Sequence, residues 1–390
     1  MTAIRGLRQA PWAKYVLPGV VIVAVALLPF FRPPLDGFMD DCILALIFVT
    51  MALGLNLIVG FAGLLDLGYV AFYAFGALVG GWWASDHFTG VNGEKGIHLG
   101  VGDFASNLPG IHINFLLLIV GAIVVCAVAG AVIGLPTLRL RGDYIAIVTL
   151  AFGEIIGRFA ANGDEVTIFG DYAISNGRES ISPLDSIDLL VLDQFDSALD
   201  LRPFYWTMLA IVLVALIVNI RLRDSRLGRA WVALREDEVA AASMGVPLVK
   251  TKLTAYATGG ALGGIAGVFY GLYLNSINAN QFQFGFSVFI LAMVIMGGLG
   301  SIWGVVIGAV VLAFVNNRLI PDVLDQGFVN DIKNDIGLNF SFTEVTFGIF
   351  GFVLVLMMVL RPEGILPERR RQIELTEGTG PDESVYEARA

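Results

Sequence analysis

The sequence predicts an all-α polytopic membrane protein of about ten transmembrane helices, and three observations carry that prediction. Hydrophobic residues make up 56% of 390 and charged residues only 15%, with a mean hydropathy of +0.77. The apolar residues gather into runs of about 17 to 25, the length that crosses a bilayer. The charges lie between those runs, and their two signs separate along the chain. A single soluble core cannot hide so much apolar surface.

Ten candidate spans follow in order: 15–31, 41–59, 63–83, 114–135, 143–160, 203–220, 253–274, 285–299, 301–317 and 343–360. The first follows Arg5, Arg8 and Lys14 and ends in Pro-Phe-Phe-Arg-Pro-Pro without a small-x-small cleavage pattern, so it reads as a retained span. With the N-terminus inside, the inner segments hold Arg139, Arg141, the basic residues of 221–252, Arg361, Arg369, Arg370, Arg371 and Arg389. The outer segments hold Arg32, Lys95, Arg178, Arg202, Arg318 and Lys333. The outer loop 161–202 is acidic, and the positive-inside rule is met throughout. This gives a cytoplasmic N-terminus (1–14), a transmembrane domain (15–360), outer loops at 84–113, 161–202 and 318–342, and a cytoplasmic tail (361–390). From about 368 the tail is too polar to fold. Ten spans also permit two inverted five-helix halves. The glycine-punctuated pieces 60–81 and 296–311 are the segments that echo one another.

Glycines read first as packing surface. Gly259, Gly263, Gly267 and Gly271 recur every four residues and make a smooth stripe along one span, with smaller versions at Gly76/Gly80, Gly130/Gly134 and Gly304/Gly308. Polar and charged residues inside spans are costly, so each is a candidate for the translocation path or its gate. They are Asn56, Asp66, Glu154 and Arg158. Glu154 and Arg158 are one helical turn apart and within reach of each other, and a structural pair facing the bundle is the plainer reading. Asp66, in GLLDLG, sits in a piece that reads as broken or re-entrant, where capping is the plainer role. Cys42 and Cys126 read as small buried hydrophobes, and His87, His98 and His112 as solvated loop residues without metal-ligand spacing. No phosphate loop, HExxH or CxxC pair is present, which argues against an enzyme, and no metal or cofactor is expected on the chain itself.

The inner loop RLRDSRLGRAWVALREDEVAAASMGVPLVKTK (221–252) is the most informative segment. Its core, 229–245, reads as a helix that ends at Gly245, ahead of Pro247. Arg229, Trp231, Arg235, Glu238, Ala240, Ala241 and Gly245 are its candidate docking residues. Membrane spans do not need such an element between them, so its presence points to a partner.

The blocks GLNLIVGFAGLLDLGYVAFYAFGAL (54–78), LRLRGDYIAIVTLAFGEI (138–155), SRLGRAWVALREDEVAAASMGV (225–246) and ILAMVIMGGLGSIWGVVIGA (290–309) resemble LivM-type permease subunits of bacterial branched-chain amino-acid ABC importers. The resemblance implies a bacterial inner-membrane protein that forms the path with a second, LivH-like permease. It further implies two cytoplasmic ABC ATPases, which would bind the ATP and Mg, and an extracytoplasmic substrate-binding protein; nucleic acid has no part. In that family the docking loop is related to a Glu-Ala-Ala motif with a Gly four residues on. Ala240, Ala241 and Gly245 keep that spacing, Val239 stands in the acid's place, and Glu238 comes one residue early. Outside the fifth span, FGDYAISNGRES (169–180) replaces the family's glycine-rich turn. Three other readings follow from the sequence: a self-sufficient secondary transporter with inverted repeats, a membrane scaffold or receptor subunit, and an ABC permease for urea or short-chain amides.

Overall fold

The computed structural model describes residues 19, 22–90, 96–101, 108–138, 140, 143–168, 172–188, 200–325, 346–361 and 363–366. The N-terminal segment 1–14, the start of the first span, Arg139, Arg141, the tail from 367 and parts of all three outer loops lie outside the described residues.

The described chain is helical, with ten apolar elements where ten spans were predicted. Six are long enough to cross a bilayer and four are shorter. They are α1 (Ile22–Phe31), α2 (Gly37–Phe61), α3 (Val70–Trp83), α4 (Phe115–Thr137) and α5 (Asp143–Ala161). The second set is α6 (Arg202–Asp224), α9 (Leu248–Leu274), α10 (Phe284–Gly297), α11 (Ile302–Pro321) and α12 (Thr346–Leu360). Between α6 and α9 lie two short helices, α7 (Arg226–Glu236) and α8 (Glu238–Ser243).

The helices are apolar all round where they are central and one-sided where they are peripheral. The α2 window is 94% buried and makes the mast of the bundle, whereas α4 and α5 are each 28% buried and lie at its edge. Asp36 caps α2 by accepting from the Phe38 amide at 3.2 Å, and Asn114 caps α4 by accepting from Leu116 at 3.0 Å. Pro203 opens α6, where its missing N–H costs nothing. Tyr205 and Trp206 of α6 donate to the carbonyls of Val25 and Ala26, which ties α6 to α1.

Two of the predicted spans are not full spans. The run 63–83 is helical only from Val70, and 62–69 is a non-helical link. Its counterpart is α10, also 14 residues. Each rises about 21 Å, less than the ~30 Å hydrocarbon core. The two meet N-terminus to N-terminus inside the bundle: the Val70 amide donates to Ser287 Oγ at 3.0 Å, and Tyr73 packs its ring on Phe282 and Phe286. From there α3 runs away from the α7–α8 end and α10 toward it.

The helix contacts pair off in the way an inverted five-helix plan requires. α2 packs on α11 as α9 packs on α4, α3 on α4 as α10 on α11, and α3 on α5 as α10 on α12. The plan pairs α3 with α10. The echo between 60–81 and 296–311 had instead matched α3 with α11, misled by glycines that each helix needs for its own contacts.

The α9 stripe lets helices approach at backbone distance. A Cβ on Gly259 would meet the Gly54 carbonyl at 2.7 Å, and one on Gly267 would strike the Tyr73 carbonyl and the Ala77 amide. Gly263 receives the rings of Tyr69 and Phe72, and Gly271 receives Ile277. Gly76 lies against the backbone of Gly264, Gly130 against Tyr256, and Gly304 and Gly308 against Gly297.

The ends of the bundle are closed differently. At the end opposite α7–α8, the one the charge pattern assigns to the outside, a three-stranded sheet, ordered β1 (Ala84–Ser85), β3 (Ile111–Ile113), β2 (Ile97–Leu99), lies beside a two-stranded one of β4 (Thr167–Ile168) and β5 (Tyr172–Ala173). The histidines are built into this cap rather than solvated. His112 is buried, with Nδ1 at 2.9 Å from Asp185 and Nε2 at 3.2 Å from the Pro109 carbonyl, and His98 stacks on it. His87 bonds the Ala173 carbonyl at 2.8 Å. At the other end the chain after α12 turns back across the α10–α11 turn, the Ile365 and Leu366 amides donating to the Met296 and Gly297 carbonyls at 2.8 and 3.2 Å.

Candidate functional site

The charged loop between α6 and α9 is a built element. Ser225 caps α7 by accepting from the Gly228 amide at 3.2 Å. The single helix expected over 229–245 is two helices, because Asp237 leaves helical geometry (φ −154°, ψ 113°). Its Oδ1 accepts from the Val239 and Ala240 amides at 2.8 and 2.9 Å, so one side chain ends α7 and starts α8. Gly245 stops α8 in the left-handed region at φ +84°.

Several residues predicted to meet a partner instead hold this element to the bundle. Trp231 is fully buried and donates Nε1–H to the Thr251 carbonyl at 2.9 Å. Arg235 reaches back to the Gly60 carbonyl at 2.9 Å, over the left-handed turn at Gly63. Glu238 accepts from the buried Lys252 ammonium at 2.7 Å, and Ala241 is buried. Arg229, Ala240 and Gly245 are exposed. The surface actually presented also includes Leu227, Val239, Met244 and Val249, with Met244 86% exposed. Sequence reasoning passed over these four. The available signal was apolar residues on a segment otherwise made of charges, Val239 standing in the motif's acid position.

Arg235 connects the loop to the broken region of the bundle. Gly60 belongs to the final, π-helical turn of α2, Asn56–Phe61, a feature common at functional sites. Asn56 in that turn is buried, and its Oδ1 accepts from the Gly300 amide of the α10–α11 turn at 2.9 Å. The link that follows is fixed on three sides. Leu67 donates to Thr149 Oγ on α5 at 3.0 Å, Tyr69 donates to the Gly259 carbonyl on α9 at 2.9 Å, and Val70 donates to Ser287 on α10. Asp66 is buried and accepts from the Gly68 amide at 2.8 Å. It lies four residues ahead of Val70, and the N-cap residue of α3, Tyr69, has no side-chain cap, so Asp66 closes a turn inside the link rather than capping the helix. Asn56 and Asp66 are fixing points of the break.

Glu154 and Arg158 do form the expected pair, at 3.6 Å, but they face away from the bundle, with side chains 47% and 81% exposed. They border a groove of about 380 Å³ between the outer half of α5 and the residues that enter α10, lined also by Asn280, Phe282, Gln283 and Phe284. The two site groups are thus separate. One joins the loop, the α2 π turn and the break; the other is a charged groove on the α5 side.

A family profile described as "Branched-chain amino acid transport system / permease component" matches residues 41–359. The chain is 33% identical over 411 residues to the "High-affinity branched-chain amino acid transport system permease protein LivM" of Escherichia coli strain K12, covering 98% of this chain and 84% of that protein. It is 29% identical over 162 residues to the corresponding LivH protein of the same strain, covering 41% and 46%. It is 26% identical over 240 residues to the "Ribose import permease protein RbsC" of that strain, covering 58% and 70%. No solved structure matches the chain.

Proposed function

Because the chain belongs to the family of permease components of branched-chain amino acid transport systems, we propose that it is the membrane-spanning permease subunit of an ATP-driven importer for branched-chain or other hydrophobic amino acids. In this reading it forms the path with a second, LivH-like permease, two cytoplasmic ATPases dock on α7–α8, and an extracytoplasmic binding protein delivers substrate to the outer cap. The α7–α8 end faces the cytoplasm of a bacterial inner membrane. ATP and Mg belong to the ATPases, and this chain carries no hydrolytic step.

The observation that carries the proposal is the loop. α7–α8 shows an apolar tip to solvent while its tryptophan, arginine and glutamate bind it to α9 and α2. A force on that tip reaches the bundle through fixed contacts rather than through a loose linker. Trp231 passes it to the first turns of α9, and Arg235 to the π turn of α2 and so to the break before α3. Work on the path then comes from the partners' unequal affinity for its two states.

Co-purification of the ATPases with the chain tests the docking. Val239→Asp and Met244→Asp should each weaken it by an order of magnitude, about 1.4 kcal/mol or more, without altering the thermal stability of the permease. ATPase retention in both variants, or leucine transport by the lone chain in liposomes, would sink the assignment. Competition of leucine uptake by urea and acetamide separates the amino-acid reading from the amide one.

A further inference from the structure

The charges on α5 face outward at a depth where hydrocarbon is a poor surrounding. Glu154 is seven residues from the end of α5 at Ala161 and eleven from its start at Asp143, about 10 and 16 Å along the axis. A carboxylate near mid-membrane faces either a water-filled cavity or another protein. Its surroundings favour the cavity. The groove beside it is concave and of about 380 Å³, within the range of small-molecule sites.

The groove holds three kinds of group in one place. Glu154 is anionic and Arg158, one turn on, is cationic, and at 3.6 Å they engage each other loosely, beyond the separation of a charge-assisted hydrogen bond. The entry of α10 forms the facing wall. Gln283 gives that helix no side-chain cap, so its first amides and positive dipole end are directed at the groove. The third component is apolar: Phe284 lines the same wall, with the buried ring of Phe282 behind it against Tyr73. Gly157 lets this wall approach, since a Cβ there would meet the Phe282 carbonyl at 2.7 Å.

We propose that this groove is a transport subsite for the α-amino-acid zwitterion. Arg158 and the α10 entry receive the carboxylate, Glu154 receives the ammonium, and Phe284 receives an apolar side chain. The proposal rests on the importer reading and names the surface of this chain that lines the path. It separates two roles: Asn56 and Asp66 fix the break, and the α5 pair meets the substrate.

The test uses the whole complex, with both permeases, ATPases and binding protein, in proteoliposomes, and measures radiolabelled leucine uptake and ATP hydrolysis together. Glu154→Gln and Arg158→Gln should each lower leucine moved per ATP by about tenfold or more, the loss of one charge-assisted contact. Glu154→Asp and Arg158→Lys should restore most of the uptake, which a merely packing role would not require. Unchanged uptake per ATP in both glutamine variants overturns the proposal. So does loss of the second permease from the complex, which would make the groove a subunit seam. The wild-type complex is the control: if it shows no ATP-driven uptake, the importer reading fails and this subsite with it. A defect confined to the variants bears on the groove alone.

Discussion

Replacing Trp231 separates the docking element from the bundle, and the structure sets the size of the effect. The indole is fully buried and its Nε1–H is bonded to the Thr251 carbonyl. Truncation to alanine loses the contacts and leaves a cavity, about 3–5 kcal/mol for a buried aromatic. Trp231→Phe keeps most of the volume and loses only the donor. Thr251 O still accepts from Thr254 Oγ at 3.0 Å, so no carbonyl is left bare and the cost is about 1 kcal/mol. Because α7 meets the rest of the chain chiefly through α6, α9 and the π turn of α2, the damage is local. At about 1.4 kcal/mol per tenfold, a loss of ~3 kcal/mol raises local opening by roughly 100-fold. Hydrogen exchange of the purified complex reads this directly. Amides of 226–243 should speed up by about that factor in Trp231→Ala and by under tenfold in Trp231→Phe, with α2 and α11 unchanged. Transport per ATP should fall with the alanine variant first. Exchange in 226–243 within about threefold of the parent would refute the claim that Trp231 anchors the element.

Three further outcomes follow from named contacts. The Glu238–Lys252 pair is asymmetric, since Lys252 is 1% exposed and Glu238 is 25% exposed. Glu238→Gln strands a buried ammonium and should cost about 3 kcal/mol. Lys252→Met leaves a carboxylate that water can reach and should cost about 1 kcal/mol, an order that chemical denaturation of the complex would reveal. Gly76→Ala and Gly267→Ala each place a methyl on backbone that has no side chain to move. Each should lower stability by about 1–3 kcal/mol, read as a lower melting temperature in detergent. In the outer cap, burial pulls the His112 pKa down, but the hydrogen bond and charge of Asp185, helped by the Pro109 carbonyl and Asp86, raise it on balance above its ordinary 6.5. A raised pKa means that the charged form is favoured in the folded cap. Its stabilisation is full below about 6.5 and is lost as pH rises through the folded value. Exchange in 97–99, 111–113 and 181–188 should therefore quicken as pH rises above 6.5, beyond the intrinsic rate, and His112→Gln should remove that excess.

The spans were legible because long apolar runs between charged segments admit one structure in a bilayer. The break at 62–69 was legible too, from the glycines that flank Asp66 in GLLDLG, although the candidate span 63–83 still ran through it. The half-length of α10 was not, because a hydropathy window does not register where a short apolar helix stops. The loop between α6 and α9 was legible as an element, with its stop at Gly245. Its division at Asp237 was missed because LREDEVAAAS reads as continuous helix former. The direction of each side chain was the least legible. Arg235, Glu238 and Trp231 look like a charged and aromatic contact face, yet their partners, Gly60, Lys252 and Thr251, lie on other helices. The same holds for His112, whose carboxylate partner is 73 residues away. Local pattern names an element, but long-range pairing decides which face it spends on itself.

The return of the chain after α12 has a consequence for synthesis. Glycines make the α10–α11 turn: Gly298 at φ +114° and Gly300 at φ +84°. The Met296 and Gly297 carbonyls in it are met by Ile365 and Leu366, more than 60 residues later in the chain. A ribosome delivers α10 and α11 to the bilayer long before those two amides exist. Until then the turn has its own hydrogen bonds, Ser301 to Gly298 and Gly304 to Ser301, and the side chain of Asn56 from α2. One turn is thus fastened from both directions of the chain, by a residue made long before it and by two made long after.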